Sequence, residues 1–168
     1  MNAVQYALLG LLQETPSHGY NLFKQFHSKD GPGRVVTVKK SLLYAYCDRL
    51  RDEELVTFKK EEIDNSRNRH SIEITDRGRN EFIEWMFRPV GNVRNFRRDF
   101  LIKLYFMPSF LNEEVDRIFR QQLEECGSWI KKNQQAEDGR FAEMIQRCRR
   151  SQIDAVMKWL KQEIKELE

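Results

Sequence analysis

TVKKSLLYAYCDRLRDEELVTFKK (37–60) holds a helix and the start of a strand. Leu43, Cys47 and Leu50 are spaced by four and three, which puts them on one inward face. The outward face then holds Lys40, Ser41, Tyr44, Ala45 and Asp48. Thr37 is placed to cap the helix, giving a span of about 38–53. Lys39 and Lys40 fall in its first turn, where the helix dipole favours anions. Either these cations are kept for a phosphate or they are ordinary solvated lysines. Leu55-Val56-Thr57-Phe58 begins a strand that continues to Glu62.

Working outward, residues 3–13 carry Val4, Leu8, Leu11 and Leu12 at helical spacing. Thr15-Pro16-Ser17 ends that helix and opens a second over 17–28, with Thr15 or Ser17 as its cap. Downstream, Asp64-Asn65-Ser66 is rich in turn formers. Arg69 to Ile74 then alternates as a returning strand, and Thr75 can cap a fourth helix from Asp76 to about Arg88. Three helices followed by a hairpin is the order of a winged helix-turn-helix, whose third helix enters the DNA major groove. Its hairpin extends the contact to the backbone or minor groove, where arginine is favoured. The lysines opening the third helix and Arg67, Asn68, Arg69 and His70 near the hairpin tip are where such a fold needs positive charge. Ser41 and Tyr44 face the groove, and Lys39, Lys40 and Arg49 serve phosphates.

These residues also carry a resemblance. ALLGLLQETPSHGYNLFK (7–24), LLYAYCDRLRDEELV (42–56) and RHSIEITDRGRNEFIEWM (69–86) resemble, in order and spacing, the PadR family of bacterial regulators. The resemblance covers about the first 90 residues. It implies a double-stranded DNA partner and, usually, repression. It also implies a helical C-terminal domain that dimerises, often clasping the partner's first helix. His18 matches the family's His-Gly-Tyr, which implies a capping or packing role on the second helix. The sequence departs from the pattern at Glu54, where the family usually has glycine, at Ala45, and along Arg69-His70-Ser71-Ile72. Base preference therefore does not carry over.

Pro89-Val90-Gly91-Asn92 breaks the pattern and divides a DNA-binding domain, 1–90, from a helical dimerisation domain, 91–168. Helices are expected over 96–107, 113–133 and 140–166. The last carries Phe141, Ile145 and Cys148, then Ile153, Val156, Leu160, Ile164 and Leu167. Part of so long a stripe fits a local hairpin against 113–133, and the remainder a second chain. The dimerisation set is Leu8, Leu12, Ile145, Cys148, Ile153, Val156, Leu160 and Ile164. The fold class is thus mostly α with a small β-hairpin wing: a winged helix-turn-helix head and an α-helical dimerisation tail.

Composition sets the limits. A net charge of +3 over 168 residues permits nucleic-acid binding without arguing for it. No apolar run approaches the roughly 18 residues of a membrane span, and no leader pattern is seen, so a cytoplasmic protein is expected. Cys47, Cys126 and Cys148 have no CxxC spacing, and His18, His27 and His70 are scattered. No catalytic residue, metal site or cofactor is expected. Trp85, Phe87, Tyr105 and Trp129 are either core aromatics, the commoner case, or the lining of a pocket for a small aromatic effector. The rival to DNA binding is a winged-helix module that binds protein.

Overall fold

The computed structural model describes residues 1–61, 69–133 and 139–167. They divide into two compact units, Met1–Trp85 and Met86–Glu168.

The first unit begins with α1 (Ala3–Leu11), whose cap the sequence reading missed. The Asn2 side chain accepts from the amides of Val4 and Gln5, and Gln5 returns a bond to the Asn2 amide, a reciprocal capping box. The next stretch corrects the expected helix over 17–28. Ser17–His18 forms a short strand, β1, and α2 runs from Gly19 to Phe26. Helix α3 spans Lys40–Asp52, followed by β2 (Val56–Glu61), β3 (Arg69–Ile74) and α4 (Asp76–Phe87). The antiparallel sheet has the order β1-β3-β2, with Ser17 opposite Ile72, Phe58 opposite Ile72 and Val56 opposite Ile74. Leu8, Leu9 and Leu12 from the first segment, Leu22 and Phe26 of α2, and Leu43, Cys47 and Leu50 of α3 are buried. Ile72, Ile74 and Phe82 close the core over them. Three helices and a hairpin around one core make a winged helix-turn-helix.

Helix α3 ends in a Schellman motif. The Glu54 amide donates to the Arg51 carbonyl and the Leu55 amide to the Leu50 carbonyl, both at 2.9 Å. Leu50 and Leu55, the apolar pair such a motif brings together, are both buried. The motif needs one left-handed residue, and Glu54 supplies it at φ 60°. An L-residue there costs about 1–2 kcal/mol that glycine avoids. Glu54→Gly is therefore expected to raise stability by about 1 kcal/mol in urea denaturation. Glu54→Ala removes the exposed Arg77 ion pair but keeps the strain, and is expected to change little. A glycine variant no more stable than the alanine one contradicts the assignment.

The second unit holds α5 (Val93–Phe106), α6 (Asn112–Asn133) and α7 (Arg140–Leu167). Helix α5 starts three residues before the expected Phe96, because the Asn92 side chain caps it by accepting from the Asn95 amide at 2.9 Å. Phe96, Phe100, Phe119 and Trp159 pack as stacked and edge-on rings. Buried Gln122 holds Val90 by both backbone groups, accepting from its amide at 2.7 Å and donating to its carbonyl at 3.2 Å. The α7 stripe is divided. Ile153, Leu160 and Ile164 are buried within the chain. So are Leu8 and Leu12 in the first unit. These five are core residues, a correction to the expected dimerisation set. A seven-residue repeat looks the same whether the facing helix is local or foreign. Ile145, Cys148 and Val156 retain exposure, and Phe141 and Met144 are 76% and 53% exposed.

Lys103 is 1% exposed in α5, and its Nζ donates to the carbonyl of Arg88. Burial lowers its pKa to about 7, against the pull of Asp99 and with help from the Arg88 charge. An unfolded lysine titrates near pH 10.4. Between those values the unfolded chain holds a proton that the native chain has shed. Stability from this group therefore rises as pH climbs from about 7 to about 10, and the full penalty applies below 7. Lys103→Met is expected to remove this rise: its stability relative to the unsubstituted chain is greatest near pH 6 and shrinks toward pH 10. Parallel denaturation curves across that range contradict it. The thiols of Cys47 and Cys126, raised by burial to about 12 and about 11, titrate alike in both proteins and cancel in the difference.

Candidate nucleic-acid interface

Helix α3 does not begin as the sequence predicts. Lys39, and not Thr37, is its N-cap, and its side chain makes no capping bond. Val38 is buried just before it. That anchor holds the preceding backbone extended and delays the helix. Lys39, Lys40 and Ser41 are all exposed at the start of α3, beside first-turn amides with no side-chain cap.

Two groups missed by sequence join them. The Lys40 Nζ lies 5.0 Å from the centre of the Tyr20 ring and the Lys24 Nζ lies 4.7 Å from it. One tyrosine ring thus gathers two ammoniums from different helices. Tyr20 and Lys24 are one helical turn apart, which was visible in the sequence; the contact with Lys40 was not. Tyr44 lies against the first residue of α2: a Cβ on Gly19 would come within 2.5 Å of its Cε1. Glycine there lets the ring seat while Tyr44 stays 38% exposed.

Between α2, α3 and the sheet is an open groove of about 590 Å³, bordered by His18, Tyr20, Tyr44, Asp48, Phe58 and His70. His18 is the N-cap residue of α2, but its side chain makes no capping bond. Its Nδ1 donates to the His70 carbonyl at 3.1 Å and ties β1 to β3. The His70 side chain is exposed. Arg69 lies opposite Glu61 in the β2–β3 ladder. Arg67 and Asn68 lie outside the described residues.

The charges separate along α3. Arg49 pairs with Glu53 at 3.1 Å, and Arg51 with Asp48 and Asp52 at 3.3 and 3.4 Å. On the wing, Lys59 pairs with Glu73. Lys24, Lys39 and Lys40 have no carboxylate within 4.0 Å among the described residues. The end of α3 is thus neutralised locally, and its beginning is not. Arg49 also stands about 140° around the helix from Tyr44, so the two do not share a centre line.

The four aromatics weighed between core and effector pocket each have a ring neighbour in their own unit. Trp85 stacks on Tyr6 at 4.5 Å in the first. In the second, Phe87 meets Phe110 edge-on, Tyr105 meets Phe106, and Trp129 meets Phe96. Among the described residues no cluster of three or more metal-ligating side chains occurs, and no helix is long and apolar enough to cross a membrane.

Residues 8–84 match the model of the transcriptional regulator PadR-like family. A curated relative, the negative transcriptional regulator PadR of Bacillus subtilis, is 27% identical over 124 residues, 74% of this chain and 67% of the relative. Among solved structures, Bacillus subtilis PadR in complex with operator DNA aligns over 98% of both chains, at 21% identity and a TM-score of 0.49. The same protein with p-coumaric acid aligns over 99% of both, at 21% identity and 0.47. The Streptococcus mutans protein smu.1604c aligns over 98% of this chain and 99% of its own, at 19% identity and 0.49. With three helices and a wing in order across them, residues 8–84 are a domain of the transcriptional regulator PadR-like family, a family of regulators and not of enzymes.

Proposed function

We propose that the protein is a cytoplasmic repressor that binds a near-palindromic operator as a homodimer. Two copies of α3 lie in successive major grooves about 34 Å apart. Ser41 and Tyr44 meet the groove, while Lys39 and Lys40 bind phosphates with Lys24 beside them. Arg67, Asn68, Arg69 and His70 make the wing contact, and Arg49 reaches a phosphate only by leaving Glu53. One observation carries the reading: among the described residues the three lysines at the α2–α3 surface lack acidic partners, while the arginines at the end of α3 have them. The curated relative is a negative regulator, which supports repression. The exposed Phe141 and Met144, with Ile145, Cys148 and Val156, support dimerisation through α7.

Lys40→Ala is expected to weaken specific and non-specific duplex binding alike and to lower the salt slope by about 0.9 per protomer. An unchanged slope removes Lys40 from the interface. Failure of the unsubstituted chain to retain any duplex at low salt favours the protein-binding module instead.

A small aromatic acid as releasing effector is a second reading, favoured by the p-coumaric acid complex of the Bacillus subtilis relative. Titrating p-coumaric acid against tryptophan fluorescence tests it. Quenching that saturates and releases DNA supports it, and no change in either discards it.

A further inference from the structure

The second unit contains a cavity of about 660 Å³ at the start of α5, the end of α6 and the middle of α7. That volume suits a metabolite-sized ligand. Three helices supply four cations to its wall: Arg94 and Arg98 from α5, Lys132 from α6 and Arg149 from α7. No carboxylate lines it among the described residues. Arg98 is held by Asp99 at 3.0 Å and Lys132 by Glu125 at 3.7 Å. Arg94 and Arg149 are exposed and have no carboxylate within 4.0 Å among the described residues. Solvated surface arginines are common, but these two sit above an apolar base: Trp129 and Ile153, 3% and 1% exposed, line the same cavity.

Trp129 is the buried aromatic of the cavity wall. Its indole N–H is buried and meets no acceptor among the described residues. With no accessible surface it does not open onto the cavity, so a ligand there meets the ring and not the N–H. The ligand class follows from these features together. Two uncommitted guanidiniums match the charge of a phosphate monoester, about −2 at neutral pH, better than that of a single carboxylate. Their planar forks suit phosphate oxygens. An indole and an isoleucine suit an apolar organic body.

We propose that this cavity binds a small organic phosphate, with Arg94 and Arg149 on the phosphate and Trp129 and Ile153 under the organic group. The site shares only Trp129 with the four aromatics considered above, and it rests on nothing in the first unit.

Calorimetric titration of the full chain with naphthyl phosphate, naphthoate and inorganic phosphate tests the proposal. Naphthyl phosphate is expected to bind at least about 10-fold more tightly than either of the others. Arg149→Ala, at an exposed helical position, should fold as before by circular dichroism and weaken naphthyl phosphate by about 10-fold or more. One of the three tryptophan indole N–H resonances should shift on its addition. Equal affinity for naphthoate, an unaltered affinity in Arg149→Ala, or no binding of naphthyl phosphate overturns the proposal.

Discussion

Gly78→Ala is expected to lower stability by about 3 kcal/mol and the melting temperature by roughly 10 °C. A Cβ at Gly78 would lie 2.1 Å from the Leu55 carbonyl oxygen and 3.0 Å from its carbon. The obstacle is backbone, so no rotamer change relieves it. That carbonyl is also already engaged. The Thr75 amide and hydroxyl both donate to it at 3.1 Å, while the hydroxyl donates to the Glu54 carbonyl at 2.8 Å and accepts from the Gly78 amide at 3.0 Å. Thr75 and Gly78 thus fasten the start of α4 to the turn that ends α3 and opens β2. Pushing Leu55 away disturbs α3 and the wing together, so under the proposed function DNA affinity is expected to fall with stability. Gly127→Ala is the control. Nothing lies within 4 Å of its Cβ position inside α6, and it is expected to stabilise by about 0.5–1 kcal/mol. Equal effects of the two substitutions contradict the close-approach explanation.

The joint Lys39→Ala and Lys40→Ala variant is expected to lose about 100-fold in operator affinity near physiological salt. A homodimer loses four cations, so the slope of log affinity against log salt should shrink by about 3 to 4. Arg49→Ala should change that slope much less, because Glu53 already neutralises Arg49. Stability should barely move, since both lysines are exposed and lack acidic partners among the described residues. Equal slope losses for Arg49→Ala and Lys40→Ala would show that the pairing along α3 does not govern the contact.

The sequence reveals most about the head where local chemistry and tertiary packing agree. Leu43, Cys47 and Leu50 lie inward as their spacing requires, and Thr75 caps α4 as its side chain allows. It misleads where a distant contact decides. Ser17 and His18 are too short a run to show strand alternation, and they become β1 only by pairing with Ile72 and Ser71. Thr37 is a good cap by type, but burial of Val38 moves the helix start to Lys39. The double contact on Tyr20 joins residues twenty apart, and no periodicity signals it. In the tail, one apolar stripe served two fates: Ile153, Leu160 and Ile164 went to the local core, and Phe141 stayed outside. Lys103 shows the same limit, because nothing in VRNFRRDFLIKLYF (93–106) marks this cation as the buried one.

Footprinting the purified protein on a duplex selected from a random library tests the central claim most directly. Two protected half-sites with centres about 10 base pairs apart, lost in the Lys39 and Lys40 double variant, are predicted. No duplex retained at low salt, or one protected site unaffected by those lysines, contradicts a dimer that reads DNA with α3.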